Sequence, residues 1–300
     1  MIWLIGNKGM LGTEVEALLR NRQMNFVATD LEVDISDMEQ LRRFASGRPI
    51  SWIVNCAAWT AVDRAEDEPE EAFRVNAQGP QNLAILAGDL DATLIHISTD
   101  YVFDGSREED YVETDSPNPI GVYGRSKLKG ETNIAGVHEK YFILRTSWLY
   151  GNHGPNFVAT MMRLFTEQDE VRIVGDQYGS PTYAPDLAET VLAVLLSGSS
   201  VYGIYHFSNE GRISWFDFAC AIYSRARERG LLSRDVVLRR IRTGDYPTRA
   251  TRPRYSCLSN TKIIKEFDIP VRDWQDALAE FFHTDRHSFE RTVSRATEGS

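Results

Sequence analysis

The fold is decided by the first twelve residues, Met1-Ile2-Trp3-Leu4-Ile5-Gly6-Asn7-Lys8-Gly9-Met10-Leu11-Gly12. The five apolar residues predict a short buried parallel strand, and residues 13–19 continue with helical periodicity. A glycine turn between a strand and a helix lets the backbone approach a pyrophosphate, and the helix N-terminus supplies amide donors with a partial positive charge. The stretch therefore predicts a turn that binds the phosphates of a dinucleotide.

An acidic residue follows the next predicted strand. Residues 26–29 (Phe-Val-Ala-Thr) form that strand, and Asp30 comes eighteen residues after Gly12. Dinucleotide-binding folds place at this position the acid that binds the adenosine ribose hydroxyls. A glycine trio alone is a weak signal, whereas strand, trio, helix, strand and acid in this order are specific.

Strand-like runs alternate with helical ones along the chain. Strands are predicted at 1–5, 25–29, 51–57, 92–98, 141–147 and 171–174. Helices are predicted at 13–22, 37–46, 70–90, 121–135, 155–167, 185–197, 214–229 and 273–283. This alternation predicts an α/β fold, a Rossmann-type doubly wound parallel sheet in residues 1–150. Residues 151–284 are predicted to form mainly a smaller C-terminal lobe, with the chain crossing between lobes, and 285–300 a mobile polar tail.

Composition narrows the class of protein. Three hundred residues with 42% hydrophobic content can bury a sizeable core. No 18-residue apolar stretch occurs, and residues 1–5 lack the basic leader and length of a signal peptide. The three cysteines, Cys56, Cys220 and Cys257, are far apart and indicate neither disulfides nor zinc. The cysteines are consistent with a reducing cytoplasm, the lack of a long apolar stretch predicts no membrane partner, and the net charge of −10 predicts no nucleic acid partner.

Tyr123 and Lys127 are the strongest candidates for chemistry. Four residues apart on a predicted helix, a phenol and an ammonium lie on one face. The ammonium would favour the phenolate and lower the pKa of the tyrosine from about 10, which suits general acid–base catalysis. An ordinary exposed Tyr/Lys helix pair is the alternative for this spacing alone.

The spacing Gly6-x-x-Gly9-x-x-Gly12, with Tyr-x-x-x-Lys downstream, resembles the extended short-chain dehydrogenase/reductase superfamily. Within it the chain is similar to the dTDP-4-dehydrorhamnose reductase family, from residue 1 to about residue 283, through residues 55–63, 97–103, 122–124, 144–151 and 176–182. The resemblance implies NADPH- or NADH-dependent reduction of the C4 carbonyl of a dTDP-sugar, dTDP-4-dehydro-β-L-rhamnose, to dTDP-L-rhamnose for cell-surface polysaccharide. It also implies that the later lobe binds this sugar nucleotide.

The resemblance assigns catalytic roles to three residues. Tyr123 would donate a proton to the C4 oxygen, and Lys127 would hold the nicotinamide ribose and depress the tyrosine pKa. Thr99 would hydrogen-bond the same oxygen, although a strand-end threonine can also be purely structural. Ser98, one residue earlier on the strand, should face the opposite side and is predicted to be structural.

Two further residues match positions that contact substrate in the family, Asp100 and Trp148. A tryptophan at the carboxyl end of a strand is well placed to pack on a sugar ring, with plain core packing as the alternative. His96 lies within a strand and is predicted to be a satisfied buried histidine.

The resemblance also implies the cofactor contacts. The glycine turn contributes the backbone of Gly6, Gly9, Met10, Leu11 and Gly12. Asp30 would bind the adenosine ribose, and Asp34 and Ile35 the adenine edge. The segment beneath the centre of the cofactor would consist of Ala57, Ala58, Trp59 and Thr60. The alternative for Trp59 is that it is an aromatic residue of the core. Asp30 should accept from the ribose of NADH and repel the 2′-phosphate of NADPH, a repulsion that Lys8 could offset, so both cofactors are predicted to work.

One departure from the family concerns metal. In some members, glutamates from each protomer bind magnesium at a dimer interface. Glu14 and Glu280 match the first and last of these, but Pro185 stands at the middle position and has no side chain that ligates a cation. We therefore expect no metal site and no metal-bridged dimer, and a homodimer of another kind stays open.

Three other functions are compatible with parts of the pattern. A sugar-nucleotide 4,6-dehydratase needs Asp-Glu directly after the threonine, whereas Asp100 is followed here by Tyr101. A 4-epimerase shares the tyrosine and retains its nicotinamide through the cycle. A regulatory subunit of methionine adenosyltransferase binds dinucleotide on this fold without turnover, and the presence of Thr99, Tyr123 and Lys127 together favours an enzyme.

Overall fold

The computed structural model describes residues 1–283, so the predicted mobile tail lies outside the described residues. The strands are β1 (Ile2–Ile5), β2 (Phe26–Thr29), β3 (Trp52–Asn55), β4 (Thr93–Thr99), β5 (Tyr141–Thr146), β6 (Leu149–Tyr150), β7 (Glu170–Val174), β8 (Tyr178–Gly179), β9 (Thr182–Tyr183), β10 (Gly203–His206), β11 (Ile213–Ser214) and β12 (Val237–Ile241). The α-helices are α1 (Met10–Asn21), α2 (Met38–Ala45), α3 (Val62–Asp67), α4 (Pro69–Phe73), α5 (Gly79–Asp89), α6 (Val122–Val137), α7 (Phe157–Glu167), α8 (Ala184–Leu196), α9 (Trp215–Glu228), α10 (Thr261–Phe267) and α11 (Trp274–His283).

Six strands form one parallel sheet in the order β10-β5-β4-β3-β1-β2. Ile2 in β1 lies opposite Phe26 of β2 on one side and Trp52 of β3 on the other, so the direction of strand progression reverses between β1 and β3. Open α/β sheets bind their ligands at such a switch point, beyond the carboxyl ends of the strands. The predicted Rossmann-type sheet is confirmed.

Both faces of this sheet are covered, which is why its strands are short apolar runs. Leu4 belongs to a core that contains residues of α1 and α8, whereas its neighbours Trp3 and Ile5 belong to a second core with residues of α2, α5 and α6. A third core joins α7, α9 and α11 in the later part of the chain. Elements after residue 150 also belong to the unit formed by the central sheet, because α8 packs on α1 and β10 pairs with β5. The division into domains at residue 150 stays a prediction.

Two sequence predictions were wrong in detail. The strand predicted at 171–174 is β7, which pairs in parallel with β12 outside the central sheet, and the sixth central strand is the unpredicted β10. The helix predicted at 70–90 is interrupted by a π-helical turn at Arg74–Gln78 between α4 and α5. Pro80 explains the interruption, because it has no N–H to donate to the carbonyl of Asn76 and its ring excludes regular helix there.

No helix within the described part of the chain combines the length and apolar character needed to cross a bilayer.

Candidate active site

The glycine turn lies at the switch point of the sheet. Gly6 has a φ of +78°, and a Cβ on it would lie 2.7 Å from the backbone nitrogen of Ala57, in the loop after β3. A Cβ on Gly12 would lie 2.0 Å from the Gly6 carbonyl oxygen, so α1 starts in direct contact with the turn. Gly9 is the N-cap of α1 and provides no side-chain cap to its first amides. Amide donors at a helix N-terminus without a side-chain cap suit an anion such as a pyrophosphate.

The loops around the turn fit a dinucleotide in a second way. Two buried polar atoms have no hydrogen-bond partner, the Asn7 Oδ1 acceptor in the glycine turn and the Trp59 Nε1 donor after β3. Buried polar groups are rarely left without a partner, so these two atoms are available to bind a polar ligand. Asn76 fixes the backbone of Trp59 through hydrogen bonds of 2.9 and 3.0 Å. The loop after β3 is thereby tied to the π-helical turn at Arg74–Gln78.

The two residues predicted at the adenine edge, Asp34 and Ile35, have different environments. Asp34 is half-buried and accepts hydrogen bonds from Ser36 and, at 2.8 Å, from Arg74. Together these contacts hold the pKa of its carboxyl below the ordinary value despite the opposing effect of burial. Ile35 is buried and points into the core against Gly79. Sequence reasoning missed Arg74, because its spacing to Asp34 follows no motif.

Thr99 and Asp100 meet at the carboxyl end of β4. The Thr99 hydroxyl donates to Asp100 Oδ1 at 3.0 Å and accepts from the Tyr101 amide at 3.2 Å. Asp100 is 2% exposed, its Oδ2 has no partner, and burial raises the pKa of this carboxyl to about 7. Ser98 faces elsewhere and donates at 2.5 Å to Glu131, which pairs with Arg145. Ser98 therefore belongs to a buried ion-pair network, in agreement with its predicted structural role.

Tyr123 lies in the first turn of α6, above Thr99. Burial raises the pKa of its phenol to about 12, and a hydrogen bond with Thr99 lowers it in part. The ring meets that of Tyr101 edge to face, with 5.7 Å between centroids. Gly124 permits this arrangement, since a Cβ there would lie 2.1 Å from the Tyr101 carbonyl oxygen. The phenol is thus held next to Thr99 in its protonated form.

Lys127 contradicts the predicted coupling to Tyr123. Its Nζ donates to the Ile97 carbonyl oxygen at 2.6 Å and lies 3.3 Å from His96 Nε2. Burial lowers the pKa of this ammonium to about 8, whereas burial raises the pKa of the Tyr123 phenol. The expected lowering of the tyrosine pKa was wrong, because burial of the phenol raises its pKa and the lysine is directed onto β4.

Trp148 is held by packing. Its φ is +47°, and its indole stacks on that of Trp215 at 3.4 Å between centroids with an interplanar angle of 7°. A Cβ on Gly179 would lie 2.4 Å from the indole, so the ring lies directly over the β8 backbone. One face of Trp148 is therefore covered by Trp215 and is closed to a sugar ring.

A cavity of about 480 Å³ opens in the later part of the chain, beside Trp215. Its walls combine apolar side chains with two guanidinium groups and include Phe157, Met161, Leu164, Arg172, Gln177 and Arg252. The volume lies in the range of small-molecule sites. Arg252 also bonds Asp63 of α3 at 2.6 Å, which connects the cavity wall to the nucleotide-binding part. Sequence reasoning missed this set, since its members come from distant segments without a common spacing.

Comparison with known proteins agrees with this geometry. A family model described as RmlD substrate binding domain matches residues 1–287. The dTDP-4-dehydrorhamnose reductase of Aggregatibacter actinomycetemcomitans is 42% identical over 281 residues, which are 92% of this chain and 96% of that protein. The chain belongs to the dTDP-4-dehydrorhamnose reductase (RmlD) family. The resemblance found in the motifs is thereby confirmed.

Two further relatives inform the proposal of function. The crystal structure of dTDP-4-dehydrorhamnose reductase from Bacillus anthracis in complex with NADP has a TM-score of 0.88 and 38% identity, covering 95% of this chain and 99% of that chain. The dTDP-4-keto-6-deoxy-D-glucose reductase of Streptomyces niveus is 37% identical over 283 residues, which are 93% of this chain and 96% of that protein. The RmlD family thus includes relatives named for different 4-keto sugars.

The family positions considered for metal are engaged in other contacts. Arg272 bonds Asp186 at 2.7 Å and Glu280 at 2.5 Å, and Glu14 lies 3.6 Å from His153. Within residues 1–283, no three His, Cys, Asp or Glu side chains lie close enough together to hold a metal ion.

Proposed function

We propose that this chain reduces the C4 carbonyl of dTDP-4-dehydro-β-L-rhamnose to dTDP-L-rhamnose with NADPH or NADH, a step of polysaccharide biosynthesis. One observation carries the proposal: Thr99, Tyr123 and Lys127 meet at the carboxyl end of β4 in a member of the RmlD family. The glycine turn at the neighbouring switch point supports a dinucleotide as the reductant.

Tyr123 is the proton donor in this proposal. Its pKa of about 12 keeps the phenol protonated near neutral pH, and the alkoxide formed at C4 is more basic than a phenolate. The Thr99 hydroxyl turns its hydrogen from Asp100 Oδ1 to the same C4 oxygen and keeps that oxygen within reach of the phenol. When bound, the reduced nicotinamide supplies the hydride. Lys127 binds the nicotinamide ribose through the Nζ hydrogen that Ile97 leaves free.

Cofactor binding is assigned chiefly to backbone groups. Gly9, Met10 and Leu11 bind the pyrophosphate, with Gly6 and Gly12 shaping the turn. Asp30 binds the adenosine ribose, and Ala57, Ala58, Trp59 and Thr60 lie beneath the centre of the dinucleotide. The unpaired Trp59 Nε1 donor supports this placement. Asp34 acts at the adenine edge together with Arg74, and Ile35 acts through its backbone, because its side chain is in the core.

The 480 Å³ cavity receives the nucleotide of the substrate. Phe157 and Trp215 form an apolar wall for a planar base, and Arg172 and Arg252 supply the charge that a diphosphate requires. Asp100, with an unpaired oxygen and a pKa of about 7, bonds a sugar hydroxyl. Trp148 acts on the substrate through Trp215, on which it stacks. A homodimer and a cytoplasmic location stay predictions.

The test is a panel of nucleotide-linked 4-keto sugars, each incubated with purified protein and NADPH or NADH. We expect oxidation of the nicotinamide coupled to formation of dTDP-L-rhamnose, identified against an authentic standard. Turnover confined to dTDP-4-keto-6-deoxy-D-glucose would favour the activity named for the Streptomyces niveus relative. Cofactor binding without oxidation in any reaction would favour a regulatory subunit, and isomerisation without net oxidation an epimerase.

A further inference from the structure

The contact between Thr99 and Asp100 is a buried hydrogen bond at the carboxyl end of β4. Thr99 Oγ1 lies 3.0 Å from Asp100 Oδ1, and both side chains are shielded from solvent. The other carboxyl oxygen, Oδ2, has no hydrogen-bond partner. The proposed reaction gives Asp100 a contact with a sugar hydroxyl, and the contact between Oδ1 and Thr99 has no role in it.

The hydrogen of the Thr99 hydroxyl has two competing acceptors. The hydroxyl has one hydrogen and two lone pairs, and one lone pair accepts from the Tyr101 amide at 3.2 Å. In the proposed reaction the hydrogen points to the C4 oxygen of the substrate, so it no longer lies between Thr99 and Asp100. The 3.0 Å contact is then a hydrogen bond only when Asp100 Oδ1 carries a hydrogen of its own.

The protonation of Asp100 therefore sets the direction in which Thr99 donates. An ionised carboxylate has no hydrogen, accepts from Thr99 and keeps the hydroxyl hydrogen away from the substrate. A protonated carboxyl donates from Oδ1 to the second lone pair of Thr99 and releases that hydrogen for the C4 oxygen. An ionised Asp100 would also repel the negative charge that develops on the C4 oxygen during reduction.

Hydroxyl groups from three segments act on the Asp100 carboxyl. Tyr101 follows it directly, and Tyr123 lies in the first turn of α6. Burial raises the pKa of both phenols, so both are uncharged near neutral pH. The hydroxyl of Ser256, between β12 and α10, lowers the pKa of the carboxyl, as does that of Thr99. Burial is the larger influence and raises this pKa to about 7, so both forms of Asp100 are populated near neutral pH.

Two cations on the same segments are held by other partners. Arg252, four residues before Ser256, bonds Asp63 at 2.6 Å. Lys127, one turn after Tyr123, donates to the Ile97 carbonyl oxygen at 2.6 Å. The protonated form of Asp100 is thus favoured by burial, while these two cations are directed to other acceptors.

We propose that Asp100 is a positioning residue that acts in its protonated form, donating from Oδ1 to Thr99 so that the Thr99 hydroxyl donates to the C4 oxygen. Oδ2 stays free to accept from a sugar hydroxyl. Asp100 transfers no proton to the substrate in this role, since Tyr123 supplies the one that C4 oxygen receives. The role rests on the proposed function.

The sign of the pH dependence tests this role in the wild type. kcat/KM for dTDP-4-dehydro-β-L-rhamnose is measured from pH 5 to 9 at saturating NADH, which lacks the titrating 2′-phosphate of NADPH. Because Asp100 has a pKa of about 7, we expect kcat/KM to fall about tenfold or more between pH 6 and pH 8. A rise over this range would overturn the proposal, because the carboxylate would then be the active form.

Asp100→Asn separates this fall from other titrations. The Asn amide can donate to Thr99 at every pH, whereas the ammonium of Lys127 still titrates with a pKa of about 8. The variant should therefore lose only about twofold between pH 6 and pH 8. The control is Asp104→Asn, which alters a carboxyl with a pKa of about 2 and should keep the wild-type profile. An unaltered tenfold fall in Asp100→Asn would refute this role alone, whereas no turnover by the wild type at any pH would refute the proposed function with it.

The ionisation of Asp100 is measured without turnover as well. The ¹³Cγ signals of labelled aspartate in the purified full-length protein are titrated with pH, and the signal of Asp100 is assigned from its absence in Asp100→Asn. We expect a midpoint of about 7. A midpoint at the ordinary value of 3.8 would overturn the proposal, because the protonated form would then be rare at neutral pH.

Discussion

The glycine turn and the 480 Å³ cavity are built in different ways. The turn lies within twelve consecutive residues and requires glycine, which has no side chain. Gly6 has a positive φ, and Gly12 lies against the Gly6 carbonyl oxygen, where a Cβ would not fit. The cavity depends on side chains that are present, and these come from residues 157 to 252. A site made of backbone leaves a spacing in the sequence, whereas a site made of side chains from distant segments leaves none.

The largest effect is expected at the proposed proton donor, which belongs to neither region. Tyr123→Phe should lower kcat by about 10²–10⁴-fold while cofactor affinity is retained, because the phenol is the only proposed proton donor to the C4 oxygen. Steady-state kinetics and NADPH titration measure both quantities. Tyr141→Phe, at the amino end of β5, is the matched control. Near-normal kcat in Tyr123→Phe would remove Tyr123 from the mechanism.

Asp100, which accepts from Thr99, tests the candidate active site through stability. Its folded pKa of about 7 exceeds the ordinary 3.8, so the contribution of this carboxyl is fully present below about pH 4 and is lost as pH rises to 7. That loss is at most about 4 kcal/mol in the wild type and absent in Asp100→Asn. Urea unfolding measures this at pH 4 and at pH 8. The free energy of unfolding of Asp100→Asn, relative to that of the wild type, should be higher at pH 8 than at pH 4. Asp104→Asn, whose carboxyl has a pKa lowered to about 2, should show no such gain. A pH-independent difference for Asp100→Asn would contradict the raised pKa of Asp100.

A substitution of Arg252 tests the cavity independently of the glycine turn. Arg252→Met should weaken dTDP binding about tenfold to a hundredfold, as expected for a charge-assisted hydrogen bond of about 1.5–3 kcal/mol, and leave NADPH affinity unchanged. Calorimetric titration of each ligand measures this. Because Arg252 also bonds Asp63, the control is Asp63→Asn, which removes the ion pair and keeps the guanidinium. Equal losses in both variants would assign Arg252 to structure alone.

The turn is tested by two alanine substitutions. Gly12→Ala should reduce the free energy of unfolding by about 1–3 kcal/mol and weaken NADPH binding, because its Cβ would overlap the Gly6 carbonyl oxygen. Gly9→Ala should be milder for stability, since its Cβ would meet only that oxygen, at 3.3 Å. Thermal and urea unfolding with NADPH titration distinguish them. Similar stability losses would show that close packing does not determine the turn.

The smallest effect concerns the choice of cofactor. Asp30→Ala should shift the ratio of kcat/KM towards NADPH by roughly tenfold, since like-charge repulsion in a partly solvated site is on the order of 1–2 kcal/mol. Kinetics with NADH and NADPH give the ratio, and Glu39→Ala, an acid on α2, is the control. An unchanged ratio in Asp30→Ala would mean that Asp30 does not reach the ribose.

The sequence by itself determined the strand–turn–helix unit, the alternation of the first five strands of the sheet, and the placement of Tyr123 and Lys127 on one face of α6. Each of these depends on local quantities, namely apolar periodicity, glycine spacing and the 3.6-residue helical repeat. The contacts of Thr99 with Tyr123 also follow, once β4 and α6 are neighbours in the fold.

Only the tertiary structure decided the rest. The pairing of β10 with β5, the set of side chains around the cavity and the contact of Lys127 with His96 join residues that are remote in sequence. The pKa values of Tyr123, Asp100 and Lys127 depend on burial, which removes water from a charged group. Helical spacing predicted an ammonium acting on a phenol, but the Ile97 carbonyl determines where the lysine lies, and desolvation lowers its pKa.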